Sequence, residues 1–155
     1  MNFGSIEEIL DYAIAKEKEA VQFYSRLAKE ESFSGAREMF TEFAREEGRH
    51  ERLLLEFKTR GTAQAVADYP LKWIKDIKRS DFAVEVEYRP GMAYNEILML
   101  AMKREEKALR LYNEFLRQAQ GPEAKKLFQV LCQEEAKHKL ALETLYDDYM
   151  ARMGD

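Results

Sequence analysis

The chain has 155 residues, enough for one domain with a real hydrophobic core. Charged residues make up 35%, Gly and Pro are scarce, and the net charge of −4 is spread with Lys and Arg among Glu, which leaves no basic footprint for nucleic acid. No apolar run approaches the ~20 residues that span a bilayer, and Met-Asn-Phe-Gly-Ser lacks the parts of a signal peptide, so the chain reads as a cytoplasmic protein without a membrane segment.

The first helix is expected over about residues 5–31. Ser5 can cap it and Glu8 can complete a capping box. Steps of four and three from Ile6 trace Leu10, Ala13, Glu17, Ala20, Tyr24 and Leu27, the spacing of an inward seam in a helix bundle. After the break at Ser32-Phe33-Ser34-Gly35, a second helix is expected over about 34–59. Its seam runs Ala36, Phe40, Phe43, Glu47, His50, Leu54 and Phe57.

A segment of about residues 60–91 follows, too long for a simple turn. Leu71, Trp73, Ile74 and Ile77 fit a short amphipathic helix, and Phe82, Val84, Val86 and Tyr88 alternate as in an extended segment. Such apolar content is expected to pack on the outer bundle or against a second copy in a homodimer. The length also suits a crossover of the ~40 Å that a 27-residue helix covers, which would invert the second hairpin and relate the two by a two-fold axis.

The third helix is expected over about 92–120, with Tyr94, Leu98, Ala101, Glu105, Ala108, Tyr112 and Phe115 on its seam. Gly121-Pro122 breaks the chain, and Pro122 suits the first turn of a fourth helix reaching about residue 152. That helix carries Ala124, Phe128, Leu131, Glu135, His138, Leu142 and Leu145. Residues 1–155 thus read as one all-α domain, an antiparallel four-helix bundle of two helical hairpins joined by a long crossover between helices two and three.

Each seam is apolar except at its centre. Adding 88 to Glu17, Tyr24, Glu47 and His50 gives Glu105, Tyr112, Glu135 and His138, an internal duplication. The only two histidines both stand in Glu-x-x-His, a spacing that puts carboxylate and imidazole on one helix face. Glu17 and Glu47 lie 15 residues either side of Ser32, and Glu105 and Glu135 lie 15 either side of Gln120. Each hairpin therefore presents a Glu opposite a Glu-x-x-His.

Four inward carboxylates and two imidazoles call for cations, since unpaired buried carboxylates cost several kcal/mol each. Two divalent ions would balance the four charges. The set matches the di-metal carboxylate arrangement of ferritin-like bundles. One histidine per metal, with Glu47 and Glu135 bridging and Glu17 and Glu105 terminal, is the natural partition. Oxygen-rich donors favour iron or manganese over a structural tetrahedral zinc. Tyr24 and Tyr112 sit two turns further along, suited either to hydrogen-bonding a ligand or to core packing. Glu19, Glu46, Glu106 and Glu134 fall off the seams and read as surface residues. Cys132 borders its seam as a small core residue, and one cysteine excludes an intramolecular disulfide.

Glu17 with Tyr24, Glu47-Gly-Arg-His50, Glu105 with Tyr112, and Glu135-Ala-Lys-His138 resemble the rubrerythrin branch of the ferritin-like superfamily. The resemblance spans all but the linker. It implies a ferritin-like bundle with two iron ions, manganese or zinc being candidate substitutes, and reduction of hydrogen peroxide or dioxygen, usually in dimers. Rubrerythrins proper add a rubredoxin-like domain with four cysteines, which these residues with one cysteine do not contain, so electrons would come from an external donor. They also carry a carboxylate three residues after the third-helix ligand, where this chain has Ala108. The rival expectations are a non-enzymatic iron-binding protein or ferroxidase, and a structural bundle with a vestigial site.

Overall fold

The computed structural model describes residues 3–30, 34–61, 64–72, 74, 87–89 and 91–153. Among the described residues there are four long helices, α1 (Ile6–Glu30), α2 (Ser34–Arg60), α4 (Tyr94–Gln118) and α5 (Pro122–Met153), and one helical turn, α3 (Gln64–Ala67). No strand occurs among the described residues. The described chain falls into two compact units, Met1–Tyr69 with Gly121–Ala124, and Pro70–Gln120 with Lys125–Asp155.

In the first unit α1 and α2 run antiparallel. Asp11 near the start of α1 meets Lys58 near the end of α2 at 2.5 Å, and Tyr24 near the end of α1 stacks on Phe40 near the start of α2. Glu8 donates its backbone N–H to Ser5 Oγ at 3.3 Å, as a capping residue requires. The Glu8 carboxylate accepts from the Gly4 amide at 2.8 Å instead of that of Ser5, so the reciprocal half of the box is displaced by one residue. At the other end, Gly61 takes φ 83° and donates to Phe57 O at 2.9 Å, closing α2 with the left-handed residue that glycine adopts at little cost.

In the second unit α4 and α5 are likewise antiparallel, with Tyr94 edge-on to Tyr149 at one end and Tyr112 stacked on Phe128 toward the other. Without a polar side chain at Ala93, the cap of α4 comes from Glu96, which accepts from the Ala93 amide at 3.4 Å.

The seams are buried as their spacing predicts. Leu10, Ala13, Leu27, Phe40, Leu54, Leu98, Ala101, Phe115, Phe128 and Leu142 are all enclosed. The ends depart, Ile6 being 40% exposed and Phe57, Tyr94 and Leu145 half-buried, because terminal turns have fewer neighbours; within the seams Ala20 and Ala108 are also half-buried.

The linker differs from expectation. The turn α3 was not anticipated, and it buries Val66 completely. Residues 71, 72 and 74 are not helical, and Leu71 is 43% exposed. The cause is Gln133 on α5. Its side-chain oxygen accepts from the Lys72 amide at 2.6 Å, and its nitrogen donates to Pro70 O at 3.4 Å. That pairing ties the backbone of Pro70 and Lys72 to a side chain of α5. Trp73, Ile77, Phe82, Val84 and Val86, with the dimer contact expected of them, lie outside the described residues.

Candidate metal centre

Each unit builds one triad. In the first, α1 supplies Glu17 and α2 supplies Glu47 and His50. His50 Nδ1 is 3.7 Å from Glu17 Oε2 and 3.5 Å from Glu47 Oε2. In the second, α4 supplies Glu105 and α5 supplies Glu135 and His138. His138 Nδ1 is 3.6 Å from Glu105 Oε1 and 4.0 Å from Glu135 Oε2. No member is more than 3% exposed. Antiparallel pairing is what assembles each triad, because in each hairpin the carboxylate and the Glu-x-x-His stand equally far from the turn.

The separations bear on what the triads can hold. A direct N–H···O hydrogen bond spans about 2.7–3.2 Å, shorter than any of these four. Ligand atoms about 2.0–2.2 Å from one cation stand about 3–4 Å from each other. The donor atoms within each triad lie within 4.8 Å of one another. Two carboxylates and one imidazole, buried and so spaced, fit a divalent transition metal.

The electrostatics point the same way. Burial, and then the neighbouring Glu47 carboxylate, push the Glu17 carboxyl up to about 8, against the opposing pull of His50. Two carboxylates in a dry site cannot both stay ionised without a compensating positive charge, and one takes up a proton. A cation would supply that charge and displace the proton.

Tyr24 and Tyr112 are 1% exposed. Tyr24 packs against Phe23, Phe40 and Phe43 with ring centroids 5.0–6.0 Å away, and Tyr112 against Phe115 and Phe128 at 6.2 and 6.4 Å. On each first helix of a pair the tyrosine lies seven residues from the triad carboxylate, toward the hairpin turn. Ala108 is half-buried one turn beyond Glu105 and adds no donor there.

Of the residues read as surface, Glu19 is exposed and pairs with Lys16 at 3.3 Å. Glu46, Glu106 and Glu134 are instead half-buried, each with its carboxylate turned to a cation: Arg49, then Lys103 and Arg110, then Lys137. Cys132 is half-buried with Sγ 3.6 Å from Asn113 Oδ1, and burial pushes its thiol up to about 12. It stays protonated at neutral pH, which suits packing and not thiolate chemistry.

Three buried polar residues on α5 were not anticipated: Gln133, Lys139 and Glu143. They lie beside the seam of that helix and not on it. For Lys139 and Glu143 the available signal was their four-residue spacing from Glu135, which runs along the edge of the ligand face.

The Rubrerythrin family profile matches residues 8–146. Among solved structures, a hypothetical protein from Pyrococcus furiosus is similar over 93% of this chain and 89% of its own, at 26% sequence identity and a TM-score of 0.67. No curated protein matches the chain. With four long helices and no described strand, the match gives the fold class as all-α, that of the ferritin-like four-helix bundle.

Proposed function

Because the chain belongs to the rubrerythrin family, we propose that its two triads together hold a pair of iron ions at which hydrogen peroxide or dioxygen is reduced. The observation that carries this reading is the duplicated buried set Glu17, Glu47, His50 and Glu105, Glu135, His138. The pair would be held by His50 and His138, one for each ion, with Glu17 and Glu105 as terminal carboxylates and Glu47 and Glu135 as those that would be shared.

A ferrous pair, when bound, supplies two electrons, which with two protons convert hydrogen peroxide to two waters. The chain's own residues set the conditions. The raised Glu17 carboxyl gives up its proton as the charge of a cation arrives. Phe40, Phe43, Phe128 and Leu131, all buried, make the surroundings apolar. The half-buried thiol of Cys132, pushed up to about 12, stays protonated, and reduction after each turnover would fall to an external donor.

Ala108 favours a second reading. With no further carboxylate beyond Glu105, the second triad has three protein donors, and the bundle would serve as an iron-handling protein or ferroxidase that does not cycle. Anaerobic loading with Fe(II), followed by stopped-flow mixing with equal concentrations of peroxide or dioxygen, separates the two. The oxidoreductase reading expects faster oxidation by peroxide, a single fast turnover, and further turnovers only with added reductant. Clearly faster reaction with dioxygen, or Fe(III) accumulating far beyond two per chain, would establish the iron-handling reading instead.

A further inference from the structure

Glu143 has no exposed surface, and Lys139 one turn before it is 4% exposed. Lys139 Nζ donates to Glu143 Oε1 at 3.2 Å. The residues 88 positions earlier are Glu51, half-buried, and Leu55, 39% exposed. The duplicated bundle therefore does not require a buried ion pair at this level, and α5 has acquired one. Buried pairs of this kind add little stability over apolar side chains of the same volume, so stability alone is a weak reason for it.

Its place on the helix suggests another reason. Glu135, Lys139 and Glu143 follow at four-residue spacing on one face of α5. Helical side chains lean toward the N-terminus, so an unguided lysine at 139 reaches back over the turn that carries Glu135. Glu before Lys at this spacing is also the better order than Lys before Glu. Intrinsic helix geometry thus favours Glu135 as the ammonium's partner. There it would take up a carboxylate oxygen that a metal needs and place a positive charge beside the ion.

We infer that Glu143 is a positioning residue: it holds the Lys139 ammonium toward the C-terminal end of α5 and so keeps the Glu135 carboxylate for metal. The inference rests on the metal-centre reading above. Glu143 itself touches no metal and acts through Lys139. The first triad needs no such device, because Glu51 stands where the second has its lysine.

The test is anaerobic titration of the full chain with Co(II), read by visible absorption and metal analysis, beside melting curves of the metal-free proteins. Glu143→Gln should weaken one of two ions by about 10–100-fold and leave the other unchanged. Lys139→Met/Glu143→Gln, which removes the freed ammonium, should restore that ion to within about twofold of wild type. A structural role would shift the melting curve and leave the affinities alone. Unchanged affinities in Glu143→Gln, or a loss that Lys139→Met does not repair, would overturn the inference. Should Glu143→Gln fail to fold, Lys139→Met and the double variant are compared, and a difference in affinity beyond about twofold overturns it equally. Wild-type protein that fails to bind two ions defeats the metal-centre reading itself and takes this inference with it.

Discussion

His50 Nδ1 stands 3.7 Å from Glu17 Oε2, and 88 residues later His138 Nδ1 stands 3.6 Å from Glu105 Oε1. The same contact is made twice between different helices. In both, the helix without histidine offers its carboxylate to the imidazole side of a Glu-x-x-His. Each hairpin therefore carries its own three candidate donors, and each triad can be altered by mutation separately.

The Glu17 carboxyl makes the metal-free protein sensitive to pH. Its folded value of about 8 lies above the ordinary 4.5. Below 4.5 the group is protonated in both states and costs nothing. Between 4.5 and 8 the folded chain keeps a proton that the unfolded chain releases, so stability falls as pH rises and the loss is complete above 8. Metal-free protein should be more stable at pH 5 than at pH 8.5, by on the order of a few kcal/mol, in denaturant titrations. Glu17→Gln should flatten that slope, and a saturating divalent cation should reverse it.

Truncating the aromatic wall should cost stability on either side of the duplication. Phe40 and Phe128 are fully enclosed. Phe40→Ala and Phe128→Ala should each destabilise by about 3–5 kcal/mol, measured on metal-loaded protein in urea. Equal effects would follow from their equivalent places in the two hairpins.

Gly61 tests the end of α2. A Cβ there meets no atom within 4 Å, so Gly61→Ala adds no clash and isolates the cost of φ 83°. A loss of about 1–2 kcal/mol is expected, with metal binding unchanged.

Cys132 should be inert. With its thiol pushed up to about 12, native protein should react with iodoacetamide far more slowly at pH 8 than unfolded protein does. Cys132→Ala should bind metal as wild type.

The centre of each seam was legible in the sequence because two constraints coincide there. The helical repeat fixes which residues face inward, and a charged residue on an inward stripe has few explanations. Glu17, Glu47, His50, Glu105, Glu135 and His138 satisfied both, and all six are buried in two triads. The ion pair of Lys139 and Glu143 escaped because charged residues one step off a seam normally face water, and only the breadth of the buried face on α5 encloses them. The linker escaped for a different reason. Its local pattern suits a helix at 71–77, but residues 71, 72 and 74 are not helical, and the Gln133 side chain, distant in sequence, takes the backbone of Pro70 and Lys72 as partners. Seam periodicity reports on the helix that carries it and is silent about a partner 61 or 63 residues away.

The central claim is that the six residues hold two metal ions per chain, one for each imidazole. The most direct measurement is metal analysis of anaerobically loaded protein after removal of free iron, in wild type, His50→Ala, His138→Ala and the double variant. The account predicts two ions, one, one and none. One ion or fewer in wild type, or unchanged binding in the double variant, would contradict it.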